Sequence, residues 1–298
     1  MKMASWSITQ GAFTLNIPIV KIGRGKPKVL IMSGLHGDEA TGLVIIQELL
    51  QRLESEKIKG SLTIIPTVNI LGRAANSREE TLGGKDLNRI IGKTERGTLT
   101  AKLIERLLTA CRAHDLVIDI HTMMTYSPIV AIFMNSGSAG VKTKSRRAIA
   151  RFQPNVIWRL SPQKKEEIEY SGSLGPNLAL SGVANFAIEA PKPETLTSEQ
   201  LSQTVEGLLR ILKNRRAPKG KLPEVERVAV KARTAGLFLP QVDISAKIGK
   251  GQTLGKLILP DLEEEKIKAP ISGVLLSHIG KEQIKEGDEL LSIGKQLR

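Results

Sequence analysis

Along the first two-thirds of the chain, short apolar runs alternate with amphipathic stretches, the pattern of an α/β protein. Val29–Ser33 is a run of buried-strand type that stops at Gly34. Ala40–Leu53 carries apolar positions at helical spacing. Ser61–Pro66 predicts a second strand, Leu116–Ile120 a third and Ala184–Glu189 a fourth. Thr100–Ala113 predicts a helix with Leu103, Leu107 and Leu108 on one face. Ser198–Lys213 predicts another, with Ser198 as its N-cap and Leu201, Val205, Leu208, Leu209 and Leu212 on the apolar face.

The texture then changes. Asn214–Pro223 is basic and rich in Pro and Gly, as a linker is. Beyond it come short strand candidates (VERVAVKA, GLFLP, QTLGKLIL, KIKAP, SGVLLSHI, ELLSI) separated by Gly and Pro, with no helical period. The expectation is an α/β domain over residues 1–217 and a small all-β domain over 218–298.

Composition narrows the class. Of 298 residues 41% are apolar and 25% charged, enough for a real core and against global disorder. The single cysteine, Cys111, excludes an internal disulfide framework and a multi-cysteine metal site, and suits a reducing compartment. No apolar run approaches the roughly 20 residues of a membrane span, and the first thirty residues lack a signal-type apolar stretch. A soluble, cytoplasmic protein with no membrane partner is expected.

Charge is the unusual feature: 44 Lys and Arg against 30 Asp and Glu give +14. Such a balance fits nucleic acid, an acidic surface or small anions. Aromatics are only 3%, too few for base-stacking platforms. Lys142, Lys144, Arg146, Arg147, Arg151 and Arg159 form the best candidate nucleic-acid footprint. No recognition motif accompanies it, so a basic nucleic-acid-binding protein with a vestigial metal site is the reading of another class, not the preferred one.

The chemistry lies with the histidines. There are four, and two follow strand candidates directly: His36, in Gly34-Leu35-His36-Gly37-Asp38-Glu39, and His121, at the end of the strand holding Asp119. Ligands of open α/β sheets bind at the carboxyl ends of strands. Glu39 lies three residues after His36, so His36, Glu39 and His121 make a two-histidine, one-carboxylate set of the kind that holds catalytic zinc and leaves a position for water. Glu189 ends another strand and supplies a spare carboxylate for a general base. Asp119, two residues before His121 on the same strand face, is a candidate partner for an imidazole. His114 and His278 have no comparable context and read as structural or surface residues.

Arg78, then Asp86-Leu87-Asn88-Arg89, form a candidate anion-binding segment, since arginine forks bind carboxylates in bidentate fashion. The plainer alternative is an Asp86–Arg89 surface ion pair. Tyr170 or Tyr126 could donate to an oxyanion.

The order HGDE, DLNR, DIH and a strand ending in Glu resembles the succinylglutamate desuccinylase/aspartoacylase family of zinc carboxypeptidase-like deacylases, over roughly Ile17–Lys213. The resemblance implies an α/β fold with a mixed sheet flanked by helices. It implies one zinc ion per chain on His36, Glu39 and His121, with Glu189 as general base. Asn88 and Arg89 would hold a substrate carboxylate and Arg78 would polarise the scissile carbonyl. The implied reaction is hydrolysis of the amide of a small N-acylated amino acid; peptide hydrolysis by a metallocarboxypeptidase is the close alternative. Residues 225–295 resemble a barrel-sandwich hybrid of the biotinyl/lipoyl type. Its expected hairpin tip reads Leu259-Pro260-Asp261-Leu262, without the lysine a carrier modifies. Homo-oligomerisation is left open.

Overall fold

The computed structural model describes residues 1–297. In chain order the elements are β1 (Lys2–Gln10), β2 (Phe13–Gly23), β3 (Lys28–Ser33), α1 (Thr41–Glu54), β4 (Ser61–Ile65), α2 (Ile70–Ala74), α3 (Leu99–Arg112), β5 (Leu116–Thr122), β6 (Val130–Met134), α4 (Ala139–Phe152) and β7 (Val156–Leu160). A 3-10 helix (Lys165–Gly172), α5 (Leu174–Leu180), β8 (Asn185–Ala190) and α6 (Ser198–Leu212) follow. The remaining strands are β9 (Glu224–Lys231), β10 (Gly236–Pro240), β11 (Lys247–Ile248), β12 (Thr253–Ile258), β13 (Glu264–Lys268), β14 (Gly273–His278), β15 (Glu282–Ile284) and β16 (Glu289–Gln296).

The main sheet has the order β1-β2-β4-β3-β5-β8-β6-β7-β9-β16-β14-β11. Its centre, β4-β3-β5-β8, is parallel. β6 runs antiparallel to β8, so the sheet is mixed, as expected. Strand residues alternate between two apolar layers. Val29, Ile31, Ile118, Ile120 and Ile188 face α1, α4 and α6. Leu30, Met32 and Val117 face α3 and α5. Covering both faces is why the Val29–Ser33 run is continuously apolar rather than alternating. No helix among the described residues is long and apolar enough to cross a membrane.

Several elements depart from the expectation. The hairpin β1–β2 lies before the first predicted strand, and its alternating pattern was not read as one. β6, α4, β7 and α5 fill the unassigned stretch before β8. The basic segment 142–159 thus divides between α4 and β7. Arg146 and Arg159 are drawn inward onto Glu224, so it is not one continuous cationic face. The N-cap of α6 is Thr197, not Ser198: its hydroxyl accepts from Gln200 N while the Gln200 side chain accepts from Thr197 N, closing a capping box.

After α6 the chain is all β. β9 pairs in parallel with β7 through Ile157↔Glu224 and Trp158↔Val225, so the main sheet continues into the C-terminal strands. A second sheet, β13-β12-β10-β15, closes over them around Phe238, Leu254, Leu257, Leu275 and Leu290. The β12–β13 hairpin carries the expected tip, where Leu262 is exposed.

Candidate active site

β3, β5 and β8 run side by side in one direction, so their carboxyl ends deliver side chains to one edge. β3 ends at Ser33, and Gly34 turns the chain with φ +62. At Gly37 the loop presses on α2 so closely that a Cβ would stand 2.1 Å from the Gly72 carbonyl carbon. That approach sets His36 and Glu39 over the end of β5. His121 and Glu189 are direct register partners on β5 and β8.

Glu39 bridges the two imidazoles. His36 Nδ1 lies 2.7 Å from its Oε1 and His121 Nδ1 lies 2.9 Å from its Oε2, which also accepts from Thr122 N at 3.0 Å. The outer nitrogen of each ring donates to a carboxylate of its own. His36 Nε2 lies 3.0 Å from Asp86 Oδ1 and His121 Nε2 2.8 Å from Asp119 Oδ2. Both Nδ1 atoms therefore point inward with a carboxylate between them.

One ligand atom from each of His36, Glu39 and His121 lies within 4.8 Å of the others. The donor set fits a divalent metal on the chemistry of its neighbours. Each metal-binding imidazole ordinarily turns its second nitrogen to a carboxylate or carbonyl, which is what Asp86 and Asp119 provide. Asp119 Oδ1 is buried and lacks a hydrogen-bond partner.

Electrostatics describe the same demand for positive charge. Burial opposes ionisation of Glu39, yet the two imidazoles outweigh it and hold its carboxyl below the usual range. Burial likewise works against charge on His121, but Asp119 and Glu39 raise it well above the ordinary histidine value. His36 is raised in the same way by Asp86 and Glu39. Glu189 has no compensating hydrogen bond among the described residues, and burial pushes it up to about 7. A carboxyl group titrating near neutrality beside a polar cluster is suited to taking and returning protons.

The segment from Arg78 to Arg89 forms the opposite rim. Arg78 Nε donates to Asp86 Oδ2 at 3.0 Å and Nη1 to Glu39 Oε1 at 3.3 Å, with the side chain 43% exposed. Asn88 Oδ1 accepts from Leu174 N at 2.8 Å. Arg89 Nη1 donates to Ser173 Oγ at 3.2 Å, and its guanidinium lies over the Tyr170 ring at 4.8 Å. These contacts form because Gly172 lets the 3-10 helix touch the Arg89 backbone, where a Cβ would stand 2.1 Å from the Arg89 carbonyl oxygen.

The cavity these groups enclose has a volume of about 310 Å³, and His36, Glu39, Arg78, Asn88, Arg89, Asp119, His121 and Glu189 all line it. Asp86 was underrated. It holds His36 and Arg78 rather than pairing with Arg89, and its place at the head of DLNR was the signal. Arg227 and Glu289 were missed altogether. They join the wall from β9 and β16, which nothing in a run of short β segments announces. Of the two tyrosines, Tyr170 lines the cavity, whereas Tyr126 packs on His278 with ring centroids 4.8 Å apart. His114, bonded to the Ala110 carbonyl and Thr63, is structural, as expected.

Comparison with known proteins agrees with this architecture. The family model described as the succinylglutamate desuccinylase/aspartoacylase catalytic domain matches residues 25–215. An N-alpha-acetyl-L-2,4-diaminobutyric acid deacetylase of Halomonas elongata is 33% identical over 115 residues; that segment covers 38% of this chain and only 33% of the relative. The crystal structure of a succinylglutamate desuccinylase/aspartoacylase from Rhodobacter sphaeroides superposes with a TM-score of 0.81 at 20% identity, covering 99% of this chain and 96% of that one. The product-bound ectoine utilization protein EutE (DoeB) of Ruegeria pomeroyi gives 0.82 at 21% identity over 98% and 94% of the two chains. At these identities the structures speak for the fold, and the family model for descent: the chain belongs to the succinylglutamate desuccinylase/aspartoacylase family.

Proposed function

We propose that the protein is a zinc-dependent deacylase that hydrolyses the amide bond of a small N-acylated amino acid. The observation that carries this reading is the convergence of both imidazole Nδ1 atoms on Glu39, with Glu189 in register beside His121. The name of the Halomonas relative, a deacetylase of an N-acetylated diamino acid, supports an acylated amino acid as substrate.

His36, Glu39 and His121 would hold one zinc ion per chain. Bound there, zinc would supply Lewis acidity, acidifying water and polarising a carbonyl. Asp86 and Asp119 fix the two rings so that their Nδ1 atoms stay aimed inward. Glu189 takes a proton from the attacking water and returns one to the leaving amine. Arg78, reaching across the rim, stabilises negative charge developing on the amide oxygen. Asn88 and Arg89 hold the substrate carboxylate and so fix the scissile bond relative to Glu189. Residues 218–298 act as a module that completes the pocket wall through Arg227 and Glu289. An unpaired, buried Cys111 suits a cytoplasmic setting.

Metal analysis combined with turnover of N-acetyl, N-succinyl and N-formyl amino acids, with dipeptides alongside, tests the reading. About one zinc per chain and hydrolysis of an N-acyl amino acid in preference to dipeptides are expected. A metal-free, inactive protein, or a preference for dipeptides, would overturn it.

A further inference from the structure

We infer that the amino acid released by this enzyme carries an apolar side chain. The inference rests on the deacylase reading above and on a separate feature of the pocket, the distribution of charge and apolar surface within it.

Three guanidinium groups line the cavity, and two are already matched. Arg78 is paired with Asp86 and Glu39, and Arg227 with Glu289. Among the described residues Arg89 has no carboxylate partner; its contacts are a carbonyl, a hydroxyl and an aromatic face. One anion can therefore be held without breaking an internal ion pair. The substrate's own α-carboxylate satisfies that vacancy. An acidic side chain would find no second free cation, and an ammonium side chain would find Glu289 engaged by Arg227 and Glu189 committed to proton transfer. Bringing either charge into the cavity unpaired is costly.

One side of the space beside Arg89 is apolar. Asn88 and Arg89 dock on Leu174 and Ser173, where α5 begins, and α5 roofs a chamber over the sheet. Most of the floor comes from strand positions on the site's face of the sheet: Ile132 and Met134 on β6, Trp158 and Leu160 on β7, Ala187 on β8; Asn185, on the same face of β8, spends its Nδ2 on the Val183 carbonyl. Ala187 sits two residues before Glu189 and so shares its face. Among these larger neighbours its small side chain leaves the room. An amino acid whose carboxylate is held by Arg89 places its side chain against α5 and this floor, where burial of apolar surface favours binding.

Rates of hydrolysis of N-acetyl-L-leucine, N-acetyl-L-methionine and N-acetyl-L-phenylalanine, set against N-acetyl-L-aspartate, N-acetyl-L-glutamate and N-α-acetyl-L-2,4-diaminobutyrate, test the inference. We expect kcat/KM at least about tenfold higher for the best apolar substrate, in line with the 10- to 200-fold worth of one methylene in an apolar pocket. Ala187→Leu should lower the leucine-to-alanine ratio of kcat/KM by a similar factor. A charged substrate turned over as well as or better than every apolar one overturns the inference and leaves the deacylase reading standing. If no member is hydrolysed, the N-succinyl and N-formyl forms of the same amino acids take their place in the comparison; if these too are untouched, the deacylase reading fails, and calorimetric binding of free leucine and aspartate decides the chamber. Tighter leucine supports it, and equal or absent binding overturns it.

Discussion

His121 turns its Nε2 to Asp119, 2.8 Å away and two residues earlier on the same strand, while its Nδ1 faces Glu39 at 2.9 Å. A strand period of two makes this pairing automatic, because Asp119 and His121 project from the same face of β5. The ring is thereby locked with one nitrogen committed and the other presented.

Removing that lock should weaken the proposed metal site. Asp119→Ala is expected to lower zinc affinity 10- to 100-fold, the usual cost of losing a partner to a ligating histidine. Competition against a chromogenic chelator measures it. An unchanged affinity would mean that Asp119 serves only the fold.

The activity should depend on pH through Glu189. Burial raises its carboxyl to about 7, and a general base works only when ionised. A bound cation nearby draws that value down, so kcat/KM should fall as pH drops through a midpoint at or below about 7. A kcat/KM that rises as pH drops below 7 would contradict an essential ionised carboxylate.

Stability has its own pH dependence at the junction between β7 and β9. Glu224 accepts from Arg146 at 2.8 and 2.9 Å and pairs with Arg159 at 3.1 Å, and hydrogen bonding to Arg146 holds its carboxyl below the usual glutamate value. A depressed folded-state pKa stabilises above the unfolded value and loses that contribution as pH falls through the folded one. The Arg146 side chain is 40% exposed, so screening limits the effect to about 1 kcal/mol. Glu224→Gln should lower the melting temperature more at pH 7 than at pH 3, as differential scanning at both pH values would record.

Legibility in the sequence followed from how local each signal was. The buried parallel strands and the helices α1, α3 and α6 announce themselves through unbroken apolar runs and helical spacing. His36, Glu39, His121 and Glu189 were legible because each stands at or just beyond the end of such a strand. Asp86 was harder, since its role depends on a loop folding back onto His36 across 50 residues. Arg227 was invisible: its approach to the pocket depends on β9 pairing with β7, a contact between distant segments that no local pattern encodes. β1 and β2 escaped for a different reason, because they alternate buried and exposed positions rather than forming an apolar block.

The most direct measurement is the zinc content and turnover of Glu189→Gln beside the wild type, on whichever N-acyl amino acid the wild type hydrolyses best. Glutamine keeps the shape of the side chain and removes the base, so the variant should retain about one zinc per chain and lose 10²- to 10⁴-fold in kcat. A zinc-replete variant with wild-type turnover would contradict the account.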